Sequence, residues 1–213
     1  TQAMNSPKVS FYRSDICAAK DVEDIFSDID AVVNFAAESH VDRSISDSED
    51  FIVTNILGTR SLLEICRKRG IRFLQVSTDE VYGSIETGHW DESFPLEPNS
   101  PYSASKACAD LITKAYYESF FREDEIGAAT ARAGNVIGGG DFAEDRLIPD
   151  IIRAHSTNSA LTLRNPEATR PWQHVIDPLY GYLKYLEAGL VGGAEKALNF
   201  GPIEKSISVR EIV

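Results

Sequence analysis

Tyr102 and Lys106 stand four residues apart, a spacing that sets a phenol and an ammonium one turn along the same face of a helix. Both groups ordinarily titrate near pH 10, so the phenol serves as a base at neutral pH only where a cation stabilises its phenolate, the part Lys106 is spaced to play. Tyr180 and Lys184 repeat the spacing. The neighbourhood separates the two pairs: Tyr102 follows a loop that opens just after a strand end carrying Ser77, Thr78, Asp79 and Glu80, and Tyr180 has no such neighbour. Thr78-Asp79-Glu80 puts a hydroxyl and two carboxylates at the end of an apolar strand. In a continuing strand the two acids would point to opposite faces, so both reach one site only where the chain turns, as Val81-Tyr82-Gly83 permits. Adjacent carboxylates in a partly dry cleft repel, so one holds its proton and serves as acid while the other serves as base. The plain alternatives are a helix surface pair and a solvated acidic loop.

Alternating elements must position these groups. Val9–Tyr12 reads as a short strand and Ala19–Ser27 as a helix. Ala31 to Ala37 is a continuous apolar run of the kind buried on both faces of a parallel sheet. Ser48–Arg69 is amphipathic and closes at Gly70, the favoured left-handed cap. Ile71–Ser77 is a strand, the Gly- and Pro-rich stretch to Pro101 a loop, Ser103–Arg122 a helix and Gly127–Arg132 a strand. Shorter elements follow at Arg146–His155, Leu161–Leu163 and Pro178–Ala188. This order predicts an α/β, doubly wound parallel sheet over 1–136 with a smaller, irregular lobe over 137–213, and ligands at the carboxyl ends of the strands.

Composition narrows the function. The 213 residues are 43% apolar and 25% charged, as ordinary globular proteins are, and a net charge of −12 repels nucleic-acid backbones and anionic lipid surfaces. No apolar stretch is long enough to cross a bilayer. Cys17, Cys66 and Cys108 have neither metal spacing nor an even count, and read as reduced residues of a cytoplasmic protein. The four histidines show no metal-ligand spacing, and His174 beside Trp172 reads as packing or ligand stacking. Gly138 to Ala143 matches a dinucleotide fingerprint but comes several βα units too late for it, and reads as a loop at a substrate pocket. Arg132, Arg146, Arg164 and Arg170 are candidates for a diphosphate site, with salt bridges the default use of scattered arginines.

Taken together, Asn34 to Arg43, Thr54 to Thr59, Ser77 to Gly83 and Tyr102 to Lys106 resemble the extended short-chain dehydrogenase/reductase family, and within it the nucleoside-diphosphate-glucose 4,6-dehydratases. Glu38 to Gly83 is most similar to dTDP-glucose dehydratases. Ala131 to Asp141, Asp145 to Pro149 and Ala168 to Val175 look like CDP-glucose dehydratases, which usually carry Asp-Lys where this chain has Asp79-Glu80. Base recognition in the family lies in the second lobe, which tilts the expectation towards CDP-glucose.

The resemblance implies a Rossmann-like fold, NAD as cofactor, a nucleoside-diphosphate-glucose substrate and a homodimer formed through Ser48–Arg69 and Ser103–Arg122. By it, Asp15 and Ile16 contact the adenine; Phe35, Ala36, Ala37, Ser39, Thr54 and Val136 line the cofactor, and Lys106 holds the nicotinamide ribose. Ser39, Thr78, Asn135, Arg146, Leu147, Arg170 and Asn199 contact the sugar nucleotide, with Asn55 supporting the centre and Thr78, Asp79, Glu80, Tyr102 and Lys106 catalytic. The implied reaction oxidises C4 through Tyr102, removes water across C5 and C6 through Glu80 as base and protonated Asp79 as acid, and then reduces C6. The family's first glycine-rich βαβ unit and its last helices have no counterpart in this sequence, and their lack implies weak NAD binding. The readings next in line are a 4-epimerase and a non-catalytic sugar-nucleotide-binding module.

Overall fold

The computed structural model describes residues 5–86, 88–188, 196–203 and 206–213. Its frame is a four-stranded sheet in the order β1 (Ala31–Asn34), β2 (Arg72–Thr78), β3 (Ala128–Ala133), β7 (Ala197–Phe200), every neighbour parallel. Two small ladders complete the strands: β4 (Val136–Ile137) with β6 (Gln173–His174), and β5 (Thr169–Arg170) with β8 (Ile207–Ser208). The helices are α1 (Ala19–Glu23), α2 (Val41–Ser46), α3 (Glu49–Phe51), α4 (Thr59–Arg69), α5 (Pro101–Tyr116), α6 (Leu147–Thr157), α7 (Ile176–Ala188) and α8 (Val209–Ile212).

Strand periodicity sorts the side chains between two helical layers. Phe73 and Ala128 turn to one face, where Leu62, Leu63, Ile65 and Cys66 of α4 cover them. Leu74, Ala129, Ala131 and Ala133 turn to the other, against Tyr182 and Tyr185 of α7. With both faces covered, β3 can be buried at all six positions, and its four alanines let the helices approach closely. Each large apolar side chain so buried contributes about 1.5–3 kcal/mol. Sheet membership crosses the expected boundary at residue 136, because Ala197–Phe200 returns from the second lobe to pair with β3.

Several elements depart from expectation. Val9–Tyr12 is irregular, with Phe11 and Tyr12 exposed, since no described strand pairs with it. The expected helix over Ala19–Ser27 is α1 followed by a 3₁₀ turn, Asp24–Phe26. β1 stops at Asn34, whose side-chain oxygen accepts the Ala36 N–H and turns the chain out of the ladder. The long amphipathic segment widens into a π-helical stretch, Ile52–Gly58, before α4, and ends at Gly70 with φ +69° as its cap requires. α5 starts two residues earlier than expected, at Pro101, behind a Ser100–Ser103 capping box. Leu161–Leu163 forms no strand.

Candidate active site

The acid turn lies at the carboxyl end of β2. Thr78 is still extended, and its hydroxyl accepts the Glu80 N–H at 3.3 Å, capping a 3₁₀ turn over Asp79–Tyr82. That turn breaks the strand alternation and gathers Asp79 and Glu80 on one side. It closes at Gly83, whose φ of +83° few other residues adopt. Burial raises the proton affinity of Asp79, against the Thr78 hydroxyl and the Arg170 charge. Glu80 rises through burial and then repulsion from Asp79, again opposed by Arg170; because Glu80 is exposed at the surface, water screens its rise more.

The candidate base, Tyr102, lies in the first turn of α5. Tyr102 is held by its N–H on Ser44 Oγ (3.1 Å) and by its ring edge-on to buried Phe51. Its phenol is pushed well above the usual range, first by burial and then by the Glu80 and Asp79 charges, while the Thr78 hydroxyl and Arg146 pull it down. These causes place the phenol beside the acid turn. Lys106 departs from expectation. Its buried Nζ donates to the Val76 carbonyl at 2.6 Å, and no hydrogen bond joins it to Tyr102. Burial lowers the ammonium to about 8, with Asp110, one turn further on, opposing.

Other expected contacts are found in two groups. Arg146 donates to Ser39 Oγ (3.1 Å) and pairs with Asp141, so the glycine-rich loop and Ser39 meet at one guanidinium, whose charge is also felt at the Tyr102 phenol. Leu147 follows at the start of α6. Phe35, Ala36 and Ala37 run on from β1, and buried Asn55 holds the next stretch by bonding both Glu38 N and Glu38 O and reaching Ser105 Oγ. Thr54 sits in the same π-helical stretch. Asp15 and Ile16 lie on an irregular segment against it: Asp15 accepts the Cys17 N–H, and Ile16 fills the space a side chain at Gly58 would take. Asn135 bonds through its carbonyl to Gln173 N, and exposed Val136 begins β4.

The arginine cluster is not one site. Arg132 is buried and paired with Asp110 (2.8 Å), and Arg164 bonds Asp42 bidentately on the surface, which leaves Arg146 and Arg170 near the acids and the phenol. Asn199 is engaged as well: its Oδ1 accepts from Tyr82 OH (2.9 Å) and its main-chain N–H donates to Glu92. His174 Nδ1 accepts the Ile176 N–H at the start of α7 (3.3 Å). Sequence reasoning passed over Tyr82, Asp110 and Gly134, whose Cα faces Pro171 and the Asp79 carboxylate. One signal was available: Asp110 follows Lys106 by a full helical turn on the buried face.

A parallel sheet covered on both faces, with a phenol, an ammonium and two carboxylates at its carboxyl end, defines a Rossmann-like domain of the extended short-chain dehydrogenase/reductase class. The family model described as GDP-mannose 4,6 dehydratase matches residues 1–198, and the chain belongs to that family. It is 40% identical over 192 residues to the dTDP-glucose 4,6-dehydratase of Actinoplanes sp., covering 90% of this chain and 59% of that protein. It is 38% identical to the CDP-glucose 4,6-dehydratase of Salmonella typhimurium, covering 85% and 54%. The chain thus spans little more than half the length of these relatives. Among solved structures, a double mutant of DesIV of Streptomyces venezuelae, a dTDP-glucose 4,6-dehydratase with NAD bound, superposes with a TM-score of 0.89 at 35% identity over 99% of this chain and 63% of that one. The UDP-glucuronic acid 4-epimerase of Bacillus cereus, with NAD, does so with 0.87 at 25% identity, covering 99% and 65%.

Proposed function

We propose that this chain carries the catalytic groups of a nucleoside-diphosphate-glucose 4,6-dehydratase. The observation that carries the reading is the gathering of Tyr102, Thr78, Asp79 and Glu80 at the carboxyl end of β2, with both acids holding protons more tightly than usual. A 4-epimerase needs only the base, whereas an acid couple beside it supplies the elimination across C5 and C6.

NAD is the cofactor of this reading, and the residues present fit it. Lys106 has three ammonium protons and a single hydrogen bond, to Val76 O, which leaves donors for ribose hydroxyls. Beyond β1, Phe35 is exposed and Ala36 and Ala37 are small, a surface against which a flat ring can lie. Ile16 and Thr54 lie on the elements flanking that surface. When bound, NAD supplies the acceptor and later the donor of hydride. In this reading Tyr102, ionised with help from the Lys106 charge, takes the proton of the sugar 4-hydroxyl. The resulting ketone acidifies the C5 hydrogen, which Glu80 removes while protonated Asp79 gives its proton to the departing 6-hydroxyl. Arg146, Arg170 and Ser39 hold the diphosphate and hexose, so that remote binding energy orients C4 and C6 in turn.

Thr78, Asn135, Leu147 and Asn199 complete the proposed substrate contacts, and Val136 the cofactor contacts; of these, Asn199 would first have to release Tyr82. Exposed Ile52, Val53 and Leu57 on the π-helical stretch and Leu111 on α5 form the apolar surface of a proposed homodimer. For the base, the wording of 131–141 and 168–175 favours cytidine, and the dTDP-glucose dehydratases among the relatives favour thymidine. The test is mass spectrometry of products from CDP-, dTDP- and UDP-glucose. A product one water lighter supports the dehydratase, and one of unchanged mass with inverted C4 overturns it.

A further inference from the structure

A buried polar chain runs behind the reacting groups and joins the two elements that carry them. Asp110 lies on α5, one turn after Lys106 and two after Tyr102, and Tyr82 ends the turn that begins at Asp79. Arg132, on β3, stands between them. Its Nε donates to Asp110 Oδ2 (2.8 Å) and its NH1 to Tyr82 OH (2.6 Å), with the guanidinium 5.0 Å from the centre of the Tyr82 ring. Tyr82 then donates to Asn199 on β7 and stacks on Trp90 at an interplanar angle of 11°. All three side chains are at least nine-tenths buried, so the ions have left water, and an apolar set of the same volume would hold the layers together as well. What an apolar set lacks is direction: a planar fork with one arm on the carboxylate and one on the phenol sets the angle between α5 and the turn.

We propose that Asp110, Arg132 and Tyr82 form a positioning brace that sets the Tyr102–Lys106 helix against the Asp79–Glu80 turn, so that base and acid couple address neighbouring carbons of one sugar ring. The proposal rests on the dehydratase reading. None of the three touches the reacting atoms; they act through the groups they align.

Tyr82→Phe keeps the ring, its stacking and its contact with Arg132, and removes only the hydroxyl of the brace. Arg132→Lys keeps the charge beside Asp110 but cannot span both partners. The test uses the protein as its gene encodes it, with nucleoside-diphosphate-glucose deuterated at C4 or at C5. In both variants kcat falls roughly ten- to a hundredfold while KM stays within about twofold, as a misplacement near 1 Å produces. The C5 isotope effect grows and the C4 effect shrinks, because elimination becomes the slow step. A brace that merely stabilises the fold reduces the amount of active protein and leaves both isotope effects at parental values. That result, or a kcat at the parental level, overturns the proposal. A parent protein whose product keeps its C6 oxygen overturns the dehydratase reading instead, so the two failures are distinct.

Discussion

Lys106 Nζ donates to the main-chain carbonyl of Val76 at 2.6 Å, reaching across from α5 to a point two residues before the end of β2, and makes no hydrogen bond to Tyr102 one turn away on its own helix. The ammonium is therefore fastened to the sheet.

That position has a pH consequence. Burial lowers Lys106 to about 8 from its ordinary 10.5, so between those values the unfolded chain holds more protons than the folded one. Stability should therefore rise as pH goes from about 8 to 10.5, while the cation of the proposed mechanism is lost over the lower part of the same range. kcat/KM measured against pH should show a falling limb near 8, and Lys106→Arg, which stays charged, should shift that limb upward. An unmoved limb would assign it to another group.

Glu80→Gln keeps size and removes the proposed base. Nucleotide-sugar binding, measured by calorimetry, should remain, while dehydration should fall by about a hundredfold or more. Formation of the 4-keto-6-deoxy sugar at the parental rate would remove Glu80 from the mechanism.

Tyr102→Phe should block the first oxidation, costing about 10²–10⁴-fold in kcat. Tyr180→Phe should leave it unchanged, since Tyr180 is 62% exposed and its partner Lys184 lies 5.8 Å over its ring. Equal losses in the two variants would reverse the choice between the two Tyr-Lys pairs.

Gly134 has room for no side chain: a methyl there would run into Pro171 and come within 3.2 Å of Asp79 Oδ2. Gly134→Ala should lower dehydration more than sugar-nucleotide affinity, because it displaces Asp79, the proposed acid, and not the arginines proposed to bind the nucleotide. A larger effect on affinity than on kcat would contradict this.

Asp110→Ala leaves Arg132 buried without its carboxylate, and should destabilise the fold by about 3–5 kcal/mol in denaturant titration. A change below about 1 kcal/mol would mean that water reaches the guanidinium.

The layered α/β order was legible from strand and helix periodicity: Arg72–Thr78, Thr59–Arg69, Ala128–Ala133 and the Gly70 cap lie where the pattern predicts. Val9–Tyr12 was misread because β-propensity says nothing about whether a partner strand is at hand. Arg132 stands among the candidate diphosphate arginines for a related reason. A sequence shows a guanidinium's charge, but only the packing of β3 under α5 shows that Asp110 already holds it.

The chain's one-dimensional pattern, with period 2 in the strands, 3.6 in the helices and Tyr-Lys and Thr-Asp-Glu at fixed points within them, determined which groups could do chemistry and at which end of the sheet they fall. Those facts are local, set by steric rules within a few residues. Tertiary structure alone decided how the groups meet: that Lys106 bonds the sheet and not the phenol, that both acids lie beside Tyr102, and that Arg132 spans α5 and the acid turn. Such contacts join residues tens of positions apart, and burial sets their proton affinities, so neither exists until the layers have packed.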